Sequence, residues 1–220
     1  MSSIPILQAL KVYGTHFNIK DFISLPVDTP FGNLYLTYSE IVIRIECLNG
    51  SIISIYEYFH THNELVKARG GGSTLDEGYK HNFEIEQIIY WLRKTADELI
   101  SMLYIFSYFK NNSEFPTQIK ISSIGKLLKS DQVLDDKLTT HLNLLDRINK
   151  VSNGFKHFIV NTQVHNHRGL NEPVVFALTA FNDTASQPKF HAISLKTLLE
   201  SYNSFLTDVK DILKSKYQNV

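Results

Sequence analysis

Hydrophobic positions recur along most of this chain with the period of a helix. Between Tyr38 and Leu65, the residues Ile41, Ile45, Leu48, Ile52, Ile55 and Phe59 step by four and three, so they share one face for about five turns, with Asn49 and Gly50 off the buried side. A rival period is present: Ile41, Ile43 and Ile45, then Ile53 and Ile55, alternate around Asn49-Gly50, a strong hairpin signal. The helical period fits over the greater length, and a long helix is predicted. A second helix is predicted from about Asn82 to Phe109, with Ile85, Ile88, Ile89, Leu92, Ala96, Leu99, Ile100 and Leu103 on one face. After Pro116 comes a short helix near Ile121 to Lys129, then a third long one from about Asp131 to Phe158 with Leu134, Leu138, Leu142, Leu145, Ile148 and Phe155 inward. A last helix spans about Leu195 to Lys214.

The period switches before that last helix. Val174 to Phe181 and Lys189 to Ser194 are rich in β-branched and aromatic residues and bracket the turn-forming stretch Asn182 to Pro188, which predicts a β-hairpin over 174–194. Residues 1–37 carry three of the six prolines, two glycines and only short apolar runs, and are expected to form an irregular lead-in that wraps the core. Arg69 to Ser73, with three consecutive glycines, lacks the lysine and spacing of a phosphate-binding P-loop and is expected to connect two antiparallel helices. The fold class is therefore mainly α: one domain, 1–220, an antiparallel helical bundle with a β-hairpin inserted before its last helix.

Composition narrows the function classes. The 220 residues, 43% hydrophobic, can bury a substantial core. Lys plus Arg total 22 and Asp plus Glu total 22, which removes the simplest sign of a nucleic-acid protein, a basic surplus. The lone Cys47 cannot form an internal disulfide and excludes a zinc ribbon or a CxxC redox centre, so a reducing compartment, the cytoplasm, is expected. The N-terminus lacks the basic start and apolar run of a signal peptide, and no stretch approaches the roughly 20 apolar residues of a membrane span. No GxSxG elbow, no GxGxxG after a strand and no convincing Cys–His pair is present, so triad hydrolysis and dinucleotide chemistry have no support.

Polar residues gather along the helix borders. On the third long helix Asp146, Lys150, Asn153 and His157 fall within about 60° of one another, a stripe whose members could converge on one ligand. On the second helix Glu86, Arg93 and Asp97 occupy a similar strip, and if the two helices pack side by side the strips face each other across a groove. A histidine beside a lysine and an amide can act as a general base or hold a phosphate, and an arginine flanked by carboxylates can clamp an anion. The plainer alternative is an i,i+4 surface pair of Arg93 with Asp97 and a helix-ending His157.

Asn153, Gly154, Phe155, Lys156 and His157, closing a long helix before a polar loop, resemble the signature region of HEPN-like proteins, a helical-bundle family. Many members are metal-independent ribonucleases, often toxins or phage-defence components; others have lost the active site and serve as RNA-binding or interaction modules. The family signature is an arginine, usually followed by a polar residue, then a histidine after four to six intervening residues. His157 matches the histidine, but positions 150 to 152 hold Lys150, Val151 and Ser152 instead of an arginine, and Lys150 keeps the charge without the planar fork. The resemblance covers the two long central helices and not the hairpin. It implies a homodimer, because in that family the site forms between two copies.

The remaining histidines are weaker candidates. His165 and His167, with His157 or His191, could bind zinc or nickel, but no carboxylate or cysteine stands at ligand spacing, and no metal or other cofactor is expected. His60 and His62 fall near the expected end of the first long helix, where positive charge is favoured. The aromatic load, 11 tyrosines and 14 phenylalanines, is expected in the core rather than on a base-stacking platform, since Tyr56 to Phe59 and Tyr104 to Phe109 sit inside helical stripes.

Three functions remain, in this order. The first is a non-enzymatic HEPN-like module binding RNA or a protein partner through Arg93, Asp97, Asp146, Asn153 and Lys156, beside Lys150 and His157. The second is a structural or interaction protein whose polar strips are only solvated borders. The third is a ribonuclease in which His157 is the general base and Lys150 or Arg93 steadies the phosphate.

Overall fold

A computed structural model describes residues 4–8, 22–69, 75–157, 170–179 and 187–217. The glycine connector at 70–74, the loop carrying His165 and His167, and the hairpin turn at 180–186 lie outside them. The order is α1 (Leu34–Arg69), α2 (Leu75–Asn112), α3 (Ile124–Leu127), α4 (Asp136–Thr139), α5 (Leu142–His157), β1 (Val174–Thr179), β2 (Lys189–Ser194) and α6 (Leu195–Tyr217). The chain is mainly helical, an antiparallel bundle with a two-stranded hairpin before its last helix. Among the described residues no helix is long and apolar enough to cross a membrane.

The stripe on α1 is a helix, not a hairpin. Ile41, Ile45, Leu48, Ile52, Ile55 and Phe59 are all buried, while Ile43 and Ile53, which only the strand period would have needed inside, are exposed. Asn49 departs from expectation, because it is buried. Its Oδ1 accepts the Leu7 N–H at 2.8 Å and its Nδ2 donates to the Leu7 carbonyl at 3.0 Å. Asn203 of α6 does the same for the neighbouring groups, accepting from the Gln8 N–H at 2.7 Å and donating to the Ile6 carbonyl at 2.8 Å. Two asparagines thus take the place of neighbouring strands for this segment, which places Leu7 fully in the core.

α2 is the axis of the bundle and touches α1, α3, α5 and α6. Arg44 of α1 meets Glu98 of α2, and Tyr58 stacks on His81 at 4.9 Å, so α1 and α2 run antiparallel. Arg44 donates to Glu98 Oε2 at 2.6 Å and to Thr95 Oγ1 at 3.2 Å, and lies over the Trp91 ring at 5.2 Å, a tie between helices that the sequence pattern does not disclose. Tyr202 of α6, fully buried, donates to the Leu92 carbonyl at 2.7 Å and fastens the last helix to the same axis.

The predicted third long helix is divided. Asp135 caps α4 by accepting the Lys137 N–H at 2.9 Å. Thr139 and Thr140 then turn their hydroxyls onto the carbonyls of Asp136 and Lys137, competing with helix continuation, and α5 restarts at Leu142. β1 and β2 pair antiparallel with Val174 opposite Ser194 and Thr179 opposite Lys189. The hairpin lies on α5 at Gly154, where a Cβ would stand 2.9 Å from the Leu178 carbonyl oxygen; only a residue without a side chain admits the strand so closely.

Candidate functional site

α2 and α5 pack side by side and antiparallel, and their polar borders do face each other. Arg93 Nη1 donates to Asn153 Oδ1 at 2.5 Å and to the buried Ser152 Oγ at 3.4 Å. One turn on, Arg93 Nε lies 3.9 Å from Asp97 Oδ2. Asp97 Oδ1 accepts the Ile124 N–H at 2.6 Å, so the carboxylate also caps α3 and fixes it to α2. Lys156 extends from α5 over the ring of Tyr90 on α2, with Nζ 5.2 Å from the centroid.

These contacts frame two adjoining cavities that share Tyr90 and Lys156. One, of about 290 Å³, is walled by Arg93, Lys94, Asp97 and Glu98, with Ser101 and Ser122 at its far side. The other, of about 340 Å³, lies between Glu86 and Gln87 of α2 and Ser152 and Phe155 of α5. Burial pushes the Asp97 carboxyl above the ordinary carboxylate range, against the lowering pull of the Ile124 N–H, Arg93 and Lys156. Burial also raises Glu86. Glu98 is held by Arg44 and, at 3.2 Å, by Lys94. The groove is thus a polar trough with charges of both signs, one half-exposed aromatic face and one lysine reaching across it.

Of the candidate residues, Arg93, Asp97, Asn153 and Lys156 meet here, while Asp146, Lys150 and His157 do not line either cavity. Lys150 is paired with Asp146 one turn back, at 2.5 Å, with both side chains well exposed. Both act on His191 of β2, on the hairpin side of α5. His157 is exposed in the last turn. The reason is geometric: the stripe spans about 60°, but α5 has a different neighbour at each edge, so Asn153 turns toward α2 and Lys150 toward the hairpin at Gly154.

Tyr90, Lys94, Glu98 and Ser101 were not singled out from sequence, although Glu86, Tyr90, Arg93, Asp97 and Ser101 step by three and four along one border of α2 and continue the strip already recognised. Ser122 had no such signal, since it comes from the loop before α3. Among the described residues no three His, Cys, Asp or Glu side chains could hold a metal ion, and His165 and His167 lie outside them. His60 and His62 are not at a helix end, because α1 continues to Arg69; His62 instead stacks on Tyr58 at 5.8 Å. The chain matches no protein-family model, no curated protein and no solved structure.

Proposed function

We propose that the chain is a non-catalytic, HEPN-like helical module whose α2–α5 groove binds single-stranded RNA. The observation that carries the proposal is the Lys156–Tyr90 pair: an ammonium lying over a half-exposed ring, between two adjoining polar cavities, with Arg93 and Ser122 close by. A base of any identity can stack on the ring once Lys156 swings off it, and the displaced lysine then neutralises the phosphate that follows. Serine hydroxyls and the Asn153 amide suit a ribose edge, and so does a carboxylate, which can accept a 2′-hydroxyl proton. The groove's mostly polar lining favours such a ligand over a protein partner, whose hot spots call for apolar pockets.

The absence of catalysis is supported by the placement of Lys150 and Arg93. Lys150 is paired with Asp146 toward the hairpin, and Arg93 donates to Asn153, so each cation that could steady a phosphate for cleavage already has a partner.

Fluorescence anisotropy with a labelled oligouridylate in EDTA tests the proposal, with the RNA also run on a gel. Saturable binding is expected, weakened about tenfold in Tyr90→Ala and in Lys156→Ala, as fits one lost stack or one lost charge contact. The RNA is expected to stay intact with the wild type and with His157→Ala alike. Cleavage lost in His157→Ala would replace the proposal by a ribonuclease. An RNA-indifferent chain that captures a protein through the same two residues would replace it by an adaptor.

A further inference from the structure

A second concavity, of about 480 Å³, lies on the other side of α5, where the first turns of that helix meet β2 and α6. Its walls carry His141, Arg147, Ser201 and Ser204, with Leu144 and Leu198 as an apolar floor, and no carboxylate is among the residues that line it. His141 is tied to an acid outside that lining, Asp208, whose Oδ2 is 2.8 Å from His141 Nε2 and whose Oδ1 is 3.8 Å from Lys137 Nζ. The His141 ring, buried and set edge-on against Phe205 at 5.7 Å, is therefore a fixed wall.

Arg147 is an exposed guanidinium that forms no ion pair or hydrogen bond with any described residue. It lies in a positive neighbourhood. Burial lowers the His191 imidazole below its ordinary value, and Lys150, Lys189 and Arg147 lower it further, opposed by Asp146 alone. Asn143 and Leu144, in the first turn of α5, line the same cavity, where the helix dipole favours an anion.

We propose that this cavity binds a small, hydroxyl-bearing phosphate monoester. The Arg147 fork takes two phosphate oxygens, a geometry that guanidinium offers and ammonium does not. Ser201 and Ser204, one turn apart on α6, meet the hydroxyls of the ligand body, and Leu144 and Leu198 cover its carbon face. A volume of about 480 Å³ is in the usual range of small-ligand sites. The site is separate from the α2–α5 groove, with which it shares no lining residue.

Isothermal titration calorimetry with ribose 5-phosphate, and with ribose and inorganic phosphate as comparisons, tests the proposal. The phosphorylated sugar should bind saturably, inorganic phosphate more weakly, and ribose not at all. Arg147→Gln should weaken ribose 5-phosphate binding about tenfold or more, and Arg147→Lys by less, as fits loss of charge-assisted bonds. Lys156→Ala should leave it unchanged, which separates this site from the RNA groove. Equal melting temperatures of the Arg147 variants and the wild type establish that the fold is kept, as an exposed position predicts. No saturable heat with ribose 5-phosphate, equal affinity for ribose, or undiminished affinity in Arg147→Gln would each overturn the proposal.

Discussion

Two glycines in helices have opposite reasons to be there. Gly50, on the exposed side of α1, has nothing within 4 Å of where a Cβ would project, so Gly50→Ala should stabilise the chain through helix propensity alone, by about 0.5–1 kcal/mol. The same propensity favours alanine at Gly154, but there the methyl would meet the Leu178 backbone oxygen at 2.9 Å, and a strand carbonyl cannot turn aside as a flexible side chain can. Overpacking costs about 1–3 kcal/mol, which exceeds the propensity gain, so Gly154→Ala should lower the melting temperature while Gly50→Ala raises it. A rise in both by calorimetry would refute the close packing of the hairpin on α5. At Asp97 the charge and the hydrogen bond can be separated. Asp97→Ala leaves the Ile124 N–H without its acceptor and should cost about 1–2 kcal/mol, whereas Asp97→Asn keeps an acceptor and removes a carboxylate that burial disfavours. The folded-state value is raised, so the native chain binds a proton that the unfolded chain has already released. Asp97 therefore contributes more to stability as pH falls through that window. The asparagine variant should match or exceed the wild type at neutral pH, and its relative advantage should shrink toward about pH 4. An advantage that grows on acidification would contradict the raised value.

The helices were legible because each long one repeats a single physical requirement, burial of one face, over many turns. On α1 that repetition outweighed a hairpin signal resting on Asn49-Gly50, and the exposure of Ile43 and Ile53 shows why: strand alternation would have buried residues that the bundle leaves at its surface. Breaks were less legible. The division between α4 and α5 depends on a carboxylate cap and two threonine hydroxyls, local bonds that leave the apolar spacing of Leu134, Leu138 and Leu145 undisturbed. The lead-in was recognised as irregular, but its attachment through Asn49 and Asn203 could not be read, since the partners are 42 and 195 residues apart. Asn49 illustrates the limit of patterning. A buried asparagine looks like an error on a helix until the chain segment whose backbone it satisfies is in place.

Across the whole molecule, helix borders brought four of the candidate residues together in one trough and left Asp146, Lys150 and His157 outside its lining. Arg93, Asp97, Asn153 and Lys156 were accessible from periodicity because they edge two helices that pack against each other. Whether Lys150 joins them depends on which element covers the other edge of α5, and no spacing rule supplies that. The charge balance also limits how the groove can bind. Formal net charge is zero, and Arg93, Lys94 and Lys156 share their cavity with Asp97 and Glu98, so the RNA strand proposed to bind there would displace little counterion. With about two phosphates neutralised, the logarithm of the RNA association constant should fall with the logarithm of salt concentration at a slope of about −1.4, and Lys156→Ala should make it shallower by about 0.7. Stacking on Tyr90 would then supply most of the remaining affinity and persist at high salt. Anisotropy titrations across a salt series measure both quantities. A slope of about −4 or steeper, unaffected by Lys156→Ala, would require a denser set of cations than this groove holds and would move the RNA to the Arg147, Lys150 and Lys189 side of α5, in competition with the phosphate ligand proposed there.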